Sequence, residues 1–526
     1  MHTYLPLFLA MIAAIVLLNM WATKLRIAYP ILLVIAGLLV SFIPGLQVIR
    51  VNPDLIFFIF LPPLLFEASW AVSFKEMKKW WRIIGSFAFL VVFFTALSVA
   101  LVTNHLIPGF TIALGFLLGG IVSPPDAVST GAIMKFVKIP KSTATILEGE
   151  SLLNDASSLI IFRFALVAVG TGQFVWQEAA LSFLWMVIGG SAIGLVLAWL
   201  FVQAHKRLPT DAPSDIALLL IEPYIMYWVA EQLHSSGVMA VVSGGLLMSM
   251  KRLTYLNSAS RIKGYSVWES FVFILNGIVF LIIGLELPEI VEGIRAQGIP
   301  LSTAIGYGVL VTAVLIGARM ISSYAAMIAT FLFRRSVMPQ ASSNRRRWLM
   351  PLILGWTGMR GVVSLAAALA IPVVYDGVPI PHRNLILFIT FVVILLTLVI
   401  QGLTLPYIIQ RNSFFKEATN AHDEHAARQK MKQGLMQHVY ITLKEKYENE
   451  HLGNVEIEKV LKQWEERAKA TDYSMMSEQN KAIFVELLES QREYLSELNK
   501  DPKIDEEIIR QQLYQIDLEE ERLKII

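Results

Sequence analysis

The sequence predicts an all-α polytopic membrane protein with a helical cytoplasmic tail. Of its 526 residues, 55% are hydrophobic and only 16% are charged, whereas soluble globular proteins carry about 25% charged residues. The mean hydropathy is +0.59. Charged residues are sparse before residue 411 and dense after it. We therefore expect residues 1–411 to form a transmembrane domain and residues 412–526 to form a cytoplasmic helical tail with a regulatory role.

Thirteen runs of mostly apolar residues are candidate transmembrane helices, which need roughly 20 residues; the ninth run is shorter than this and the eleventh is longer. Their windows are 3–21, 27–46, 54–73, 84–104, 111–134, 144–169, 179–203, 214–234, 237–250, 267–286, 301–333, 349–372 and 384–410. No lysine or arginine precedes the first run, so we expect a retained span and not a cleaved signal peptide.

Positively charged residues are distributed unevenly over the short loops between these spans. Alternate loops hold 20 lysine and arginine residues, and the intervening loops hold only Arg50, Arg295 and Arg383. Cytoplasmic loops of multi-spanning proteins carry such an excess. We therefore expect the protein in the cell inner (plasma) membrane, with its N-terminus outside and its C-terminus in the cytoplasm.

Thirteen spans can divide into six, one linker and six, so that the two halves have inverted topology. Many secondary transporters are built from inverted repeats with broken helices at the binding site. Helix-breaking residues that include a charge occur in the fifth span at 123–126 (SPPD) and in the twelfth at 355–361 (GWTGMRG). These paired interruptions predict an ion site where two broken helices cross near the membrane midplane.

The sixth span carries a carboxylate, Asp155, inside its apolar run. A charged side chain at the bilayer centre costs about 2.5–3.5 kcal/mol on insertion scales, so such a residue is a functional candidate. Ser151 lies four residues earlier on the same helix face, and Asn154 is adjacent. Glu150 lies about 140° away around the helix, on a different face. Ser151, Asn154 and Asp155 can therefore offer oxygens to one cavity.

The interruption at 123–126 is a second source of oxygen ligands. Pro124 and Pro125 disrupt the helical hydrogen bonds and free backbone carbonyls, and Asp126 adds a carboxylate. Hard cations prefer oxygen ligands. We therefore expect Asp155, Asp126 and Ser151 to bind a transported monovalent cation such as Na⁺. In the alternative interpretation, the prolines only kink the helix and Asp126 caps the half-helix that follows.

Several strings resemble the signatures of the sodium/proton exchanger family, in particular the bacterial NhaP-type antiporters. The most specific is GESLLND at 149–155. The others, in family order, are FLPPLLFEA at 60–68, AE at 230–231 with SGV at 236–238, NG at 276–277 and GMRG at 358–361. The resemblance covers about residues 1–411. It implies a homodimer with a mobile six-helix core that carries the ion.

The resemblance also implies roles for individual residues. Asp155 would carry both the cation and the proton, with Asn154 as its support and with Glu150 and Ser151 as accessory groups. Asp126 would be the carboxylate of the first interruption. The family commonly has a proline directly after that aspartate, whereas this chain has an alanine there. This departure leaves the backbone geometry at the interruption, and thus the ion selectivity, open.

Three arginines lie inside predicted spans, and buried charges need partners. The resemblance favours an ion pair between Arg319 and Glu150, with Arg360 holding the second broken helix. The alternative is that either arginine extends its charged end to the membrane interface. The sequence identifies no partner for Arg163, and Glu231 is expected to be structural.

These residues predict secondary active antiport. A proton and Na⁺ would exclude one another at Asp155, and the empty charged site could not cross the lipid bilayer cheaply. In the resembling family, a second aspartate at the position of Asn154 marks electrogenic relatives. With one titrating group, we expect electroneutral 1:1 exchange of Na⁺ for H⁺ by alternating access.

Other functions remain open at this point. Exchange of K⁺ or Li⁺ for H⁺ would use the same ligand types. A protein of another class could be an ion-state sensor read by the tail, or an intramembrane protease that uses Asp126 and Asp155, although no protease motif is present. The chain has no cysteine, which excludes disulfides and thiolate chemistry. We expect no enzymatic activity, no cofactor and no nucleic-acid partner.

Overall fold

The computed structural model divides the chain into two compact units, Met1–Thr419 and Asn420–Ile526, and each is described by itself. The description covers the following residues: 4–25, 27–42, 53–72, 74–126, 131, 141–172, 181–333, 351–375, 377–411, 434–435, 437–438, 440–442, 444–445, 462, 478–498, 512 and 515–520.

The first unit is helical almost throughout its described residues. Its helices are α1 (Tyr4–Leu25), α2 (Tyr29–Ser41), α3 (Pro53–Ala71), α4 (Phe74–Gly85), α5 (Val92–Leu106), α6 (Ile112–Val122), α7 (Lys141–Thr171), α8 (Gly190–Arg207), α9 (Ala212–Gln232), α10 (Gly237–Tyr255), α11 (Ser258–Leu285), α12 (Leu287–Ala296), α13 (Leu301–Phe333), α14 (Val362–Leu369) and α15 (Arg383–Arg411). A π-helical segment, Ser86–Val91, joins α4 to α5, and another, Trp185–Gly189, precedes α8.

Polar N-cap residues set the start of several helices. Thr111, Asp211, Ser236 and Asn257 each accept a hydrogen bond from the backbone N–H three residues further on. Such caps satisfy a backbone donor that has no partner within the helix. The three connections from α8 to α11 are short because each contains little more than its cap. α8 packs against α9, and α9 packs against α10 and α11, while the most extensive contact is between α8 and α10.

Small residues allow close packing between helices of this unit. A Cβ atom added at Gly37 of α2 would lie 2.3 Å from the backbone oxygen of Leu281 in α11. One added at Gly194 of α8 would lie 2.0 Å from the backbone oxygen of Ala240 in α10. Helix pairs in membranes rely on such close approach, because lipid supplies no hydrophobic force between them.

Seven described helical stretches are long and apolar enough to cross a membrane, and three shorter apolar helices accompany them. The chain is therefore a multi-pass membrane protein. A described helix overlaps each predicted window, but the boundaries differ in places. α11 begins nine residues earlier than expected, because Asn257 caps it. The sequence did not predict α4, α12 or the short hairpin of β1 (Val374–Tyr375) and β2 (Val378–Pro379).

Both predicted helix interruptions are present. α6 ends at Val122, well before the end of the window predicted to residue 134. Residues 127–130 and 132–140 of that region lie outside the described part. In the second half, a helical segment at 351–356 is separated from α14 by non-helical residues 357–361. The two interruptions place irregular backbone inside the bundle.

The described part of the second unit contains one long helix, α16 (Glu478–Leu498), and a helical segment at 515–520. Arg492 joins the two, because it donates hydrogen bonds to Asp517 at 2.7 Å and to Glu520 at 2.5 Å. It also bonds Glu489 at 2.9 Å within α16. These hydrogen bonds, with that to Asp517 the largest cause, raise the pKa of the Arg492 guanidinium above its usual range.

Candidate functional site

The two helix interruptions touch one another. The backbone N–H of Asp126 donates a hydrogen bond to the carbonyl oxygen of Met359, at 2.7 Å. Arg360 is 1% exposed, and its guanidinium bonds both interruptions, through the Val122 carbonyl and, at 2.5 Å, the Gly358 carbonyl. Val122 is the last residue of α6, where a half-helix presents unpaired carbonyls that favour a cation. Arg360 therefore forms hydrogen bonds with residues of both broken segments.

A glycine lets the Asp126 carboxylate lie against the second interruption. A Cβ atom added at Gly361 would lie 2.3 Å from Asp126 Oδ2 and 2.5 Å from its Cγ. Real atoms do not approach so closely, so any larger residue at 361 would displace the carboxylate. The close approach of Asp126 therefore requires glycine at position 361, the last residue of the GMRG string.

The middle of α7 packs against the first interruption. Ser151, Asn154 and Asp155 are all buried, at 5%, 0% and 8% exposure. The Ser151 hydroxyl donates to the carbonyl oxygen of Pro125 at 3.2 Å. This contact joins the helix that carries Asp155 to the irregular backbone next to Asp126. The structure therefore gathers Ser151, Asn154, Asp155 and Asp126 in one region.

Asn154 is polar, fully buried and unsatisfied. Neither its side-chain Oδ1 nor its Nδ2 has a hydrogen-bond partner within the described residues. Its backbone carbonyl accepts a bond from the Ser157 hydroxyl at 2.9 Å, and the same hydroxyl reaches the carbonyl of Ala88 at 2.5 Å. Ala88 belongs to the π-helical segment before α5. α7 is therefore fixed to that segment, while the Asn154 amide retains its capacity to bind.

The Asp155 carboxylate receives no hydrogen bond from the described part of the chain. The charged group that acts on it is another carboxylate, Asp126. Asp155 is buried and Asp126 is half-buried, and neighbouring carboxylates repel one another unless a proton or a cation intervenes. The arrangement therefore favours binding a positive charge at Asp155.

Glu150 pairs with Arg319. The predicted ion pair is present, with Arg319 Nη1 at 2.7 Å from Glu150 Oε1 and Nη2 at 3.0 Å from Oε2. Both side chains are buried, at 2% and 1% exposure. Arg319 also donates to the backbone carbonyls of Leu354 and Thr357. The pair therefore joins α7 and α13 to the second interruption.

Arg163 finds a partner that the sequence did not identify. Its Nη2 lies 2.7 Å from both carboxylate oxygens of Glu231, and Glu231 Oε1 also accepts the backbone N–H of Gly237 at 3.1 Å. The ion pair thus joins α7 to the last turn of α9. Glu231 has the structural role that the sequence suggested.

The sequence reading missed a second buried polar cluster, formed by His205, Asp215 and Glu222. These residues come from α8 and α9, and nothing in their spacing shows that one side chain would bridge the other two. The sequence offered one signal for this cluster, which was a histidine at the end of an apolar span followed by two carboxylates within the next span.

Comparisons with known proteins identify the family. The sequence profile described as "Sodium/hydrogen exchanger, transmembrane" matches residues 9–411. A Bacillus subtilis protein named "Sodium, potassium, lithium and rubidium/H(+) antiporter" is 33% identical over 73% of this chain and 58% of its own length. A Mycobacterium tuberculosis protein, named as an uncharacterized Na⁺/H⁺ exchanger, is 29% identical over 99% of this chain and 96% of its own.

A solved structure shares the fold. The sodium proton antiporter MjNhaP1 from Methanocaldococcus jannaschii superposes with a TM-score of 0.63 at 18% identity, over 78% of this chain and 98% of that one. An identity this low supports the fold alone. The match of the family profile to most of the sequence carries the assignment, and this chain therefore belongs to the sodium/hydrogen exchanger family of membrane transporters.

Proposed function

We propose that this protein is a secondary active antiporter that exchanges Na⁺ for H⁺, with Asp155 as the carrier of both ions. Family membership supports cation/proton antiport. The observation that carries the finer proposal is the buried Asp155 carboxylate, which no described group hydrogen-bonds and which lies beside the unsatisfied Asn154. Such a site binds a cation or a proton, and each ion excludes the other.

The surroundings of Asp155 supply the ligands that a small hard cation prefers. Asp126 adds a second carboxylate and Ser151 a hydroxyl, and the Asn154 amide is available to support Asp155. Carboxylate, hydroxyl and amide oxygens are all suitable ligands for such a cation. The cation is cargo and not a resident cofactor. Glu150 and Arg319 are proposed to position α7, because their charges satisfy one another, and Arg360 to hold the interruptions.

The exchange is proposed to be electroneutral, with one ion moving in each direction. Asn154 stands beside Asp155 where a second carboxylate would add a second charge. The empty site would carry an uncompensated negative charge, whose passage through lipid is costly. We propose that the two halves of the bundle are inverted six-helix repeats around a linker, and that alternating access moves Asp155 between the two sides of the membrane.

The test is exchange by the purified protein in vesicles that contain a pH-sensitive dye. Additions of Na⁺, Li⁺ and K⁺ should each be assayed, because ligand types do not separate these ions. Asp155→Asn should abolish the proton flux, whereas Asp211→Asn, at an exposed helix cap that asparagine also satisfies, should retain it. Cation-dependent flux through Asp155→Asn would refute the carrier role, and a current that reverses with membrane potential would refute electroneutrality.

Exchange of K⁺ is the second candidate. The Bacillus subtilis relative is named for sodium, potassium, lithium and rubidium, so a broad cation range is consistent with the family. A proton flux of similar size with Na⁺ and K⁺ would favour this broader function. A flux with Na⁺ and Li⁺ alone would favour the narrower one.

We propose a homodimer in the cell inner membrane, with the N-terminus outside and the C-terminus in the cytoplasm, and a regulatory role for residues 412–526. A truncated protein that ends at residue 411 tests the tail. It should retain exchange but lose pH or ion-state control. Loss of the exchange activity from a folded truncated protein would contradict a purely regulatory tail.

A further inference from the structure

A buried cluster of three titratable side chains lies outside the candidate ion site. His205 is near the end of α8, and Asp215 and Glu222 lie two turns apart on α9. Their exposures are 5%, 2% and 0%. His205 Nδ1 lies 2.7 Å from Asp215 Oδ1, and Nε2 lies 2.8 Å from Glu222 Oε1. The imidazole therefore bridges two carboxyl groups across the interface between α8 and α9.

These distances determine a minimum number of protons. Each contact between a ring nitrogen and a carboxyl oxygen needs one hydrogen, and a neutral imidazole carries only one N–H. A neutral His205 between two carboxylates would leave one nitrogen lone pair facing an oxygen lone pair. The cluster must therefore hold one proton more than a neutral imidazole and two carboxylates.

The two carboxyl groups differ in how well they are satisfied. Asp215 Oδ2 accepts a hydrogen bond from the Ser260 hydroxyl at 2.6 Å, so Asp215 is stabilised as a carboxylate. Glu222 Oε2 is buried and has no hydrogen-bond partner within the described residues. A buried charge with an unsatisfied oxygen is costly. The additional proton is therefore best placed on the contact between His205 and Glu222.

The neighbouring helices supply few charges to this cluster. From α10, the Tyr255 ring lies 5.2 Å from the His205 ring, and the Arg252 guanidinium packs over Trp70 of α3. Trp70 Nε1 donates to the Tyr255 hydroxyl at 3.3 Å. From α11 the facing group is the neutral Ser260. In the described part of the chain, no lysine or arginine forms an ion pair with either carboxylate of the cluster.

The cluster does not have the character of a metal site. Both ring nitrogens of His205 are already engaged with carboxyl oxygens. No group of three or more histidine, aspartate or glutamate side chains among the described residues is arranged to hold a metal ion. The ligand that satisfies this geometry is a proton.

We propose that His205, Asp215 and Glu222 form a second proton-binding site, distinct from Asp155, that regulates the transporter. The bound proton joins α8 to α9, and the hydrogen bond from Ser260 to Asp215 joins α11 to the same cluster. When that proton is lost at raised pH, one ring nitrogen of His205 and the carboxylate oxygen beside it face one another with lone pairs only. Asp215 and Glu222 are then both negatively charged and buried. The resulting repulsion loosens the α8–α9 interface. α8 falls in the predicted linker between the two halves, so this loosening changes the rate of exchange.

Two neutral substitutions remove the need for the additional proton. In Glu222→Gln, the amide donates to Nε2 while Nδ1–H donates to Asp215. In Asp215→Asn, the amide donates to Nδ1, Nε2–H donates to Glu222, and the amide oxygen still accepts from Ser260. Either variant completes both contacts with a neutral imidazole. Glu292→Gln, at an exposed position of α12, is the matched control.

The first measurement is the unfolding midpoint of the purified full-length protein as the pH rises. One linked proton changes the folding equilibrium constant tenfold per pH unit. Wild-type protein and Glu292→Gln should lose stability as the pH rises, and Glu222→Gln and Asp215→Asn should lose less. If either folded cluster variant has the same pH dependence as the control, the proposed site is wrong.

The second measurement is exchange in vesicles at different pH values. Glu222→Gln and Asp215→Asn should exchange ions with a flatter pH profile than the control, and an unchanged profile would overturn the regulatory role. Because unfolding does not depend on transport, the proton site can be judged even if the wild-type protein fails to exchange Na⁺ for H⁺.

Discussion

The ion pair between Glu150 and Arg319 offers a stability test whose size can be worked out from the structure. Both partners are almost fully buried, and both carboxylate oxygens are engaged, at 2.7 and 3.0 Å. Glu150→Gln removes the negative charge and turns an amide N–H group toward the guanidinium. Removing one partner of a buried ion pair costs about 3–5 kcal/mol, because the other charge is left uncompensated.

In this structure the loss of stability caused by Glu150→Gln is expected at the lower end of that range. Arg319 keeps two acceptors after the substitution, the backbone carbonyls of Leu354 and Thr357, at 3.2 and 3.3 Å. We therefore expect Glu150→Gln to lower the free energy of unfolding by about 3 kcal/mol. The measurement is unfolding of the purified protein in mixed micelles, with Glu292→Gln as the exposed control.

A double variant separates loss of the pair from loss of a single charge. Glu150→Gln combined with Arg319→Gln removes both charges and leaves two amides that can hydrogen-bond one another. The double variant leaves no buried charge uncompensated, so it should be more stable than Glu150→Gln alone. A cost below about 1 kcal/mol for Glu150→Gln would show that the pair does not compensate buried charge as argued.

Two further predictions concern the contacts around the site. Gly361→Ala should greatly reduce exchange, because its Cβ would lie 2.3 Å from Asp126 Oδ2. The control Gly317→Ala, with no atom within 4 Å of the added Cβ, should keep wild-type activity. Equal activities of the two variants would contradict the steric argument. Arg163→Gln and Glu231→Gln should each destabilise the protein by about 1 kcal/mol or less, because the pair is 38% and 28% exposed and solvent screens it. A double-mutant cycle measures their coupling, and a value well above about 1 kcal/mol would contradict the screening argument.

Sequence alone predicted the helix-rich membrane fold, since the lipid core imposes a length and an apolar character on each span. It also predicted the two interruptions, because proline and glycine act locally on the backbone. The candidate residues of α7 followed from the cost of placing a charge inside an apolar run. The pairing of Glu150 with Arg319, which the family resemblance suggested, is present in the structure.

Sequence could not assign the contacts that depend on how distant helices pack. Arg163 and Glu231 are 68 residues apart, and their pairing depends on the position of α7 beside the last turn of α9. The bridge from His205 to Asp215 and Glu222 likewise depends on how α8 packs against α9. Helical periodicity gives the face on which a side chain lies but not the helix that this face meets.

The sequence by itself predicted a membrane protein rich in helices and two places where these helices break, because these properties depend on local composition and backbone chemistry. Only the tertiary structure decided which buried charges neutralise one another, and it left the Asp155 carboxylate without a hydrogen-bond donor among the described residues. Charge compensation acts over a few ångströms in space, and separation along the chain does not determine that distance.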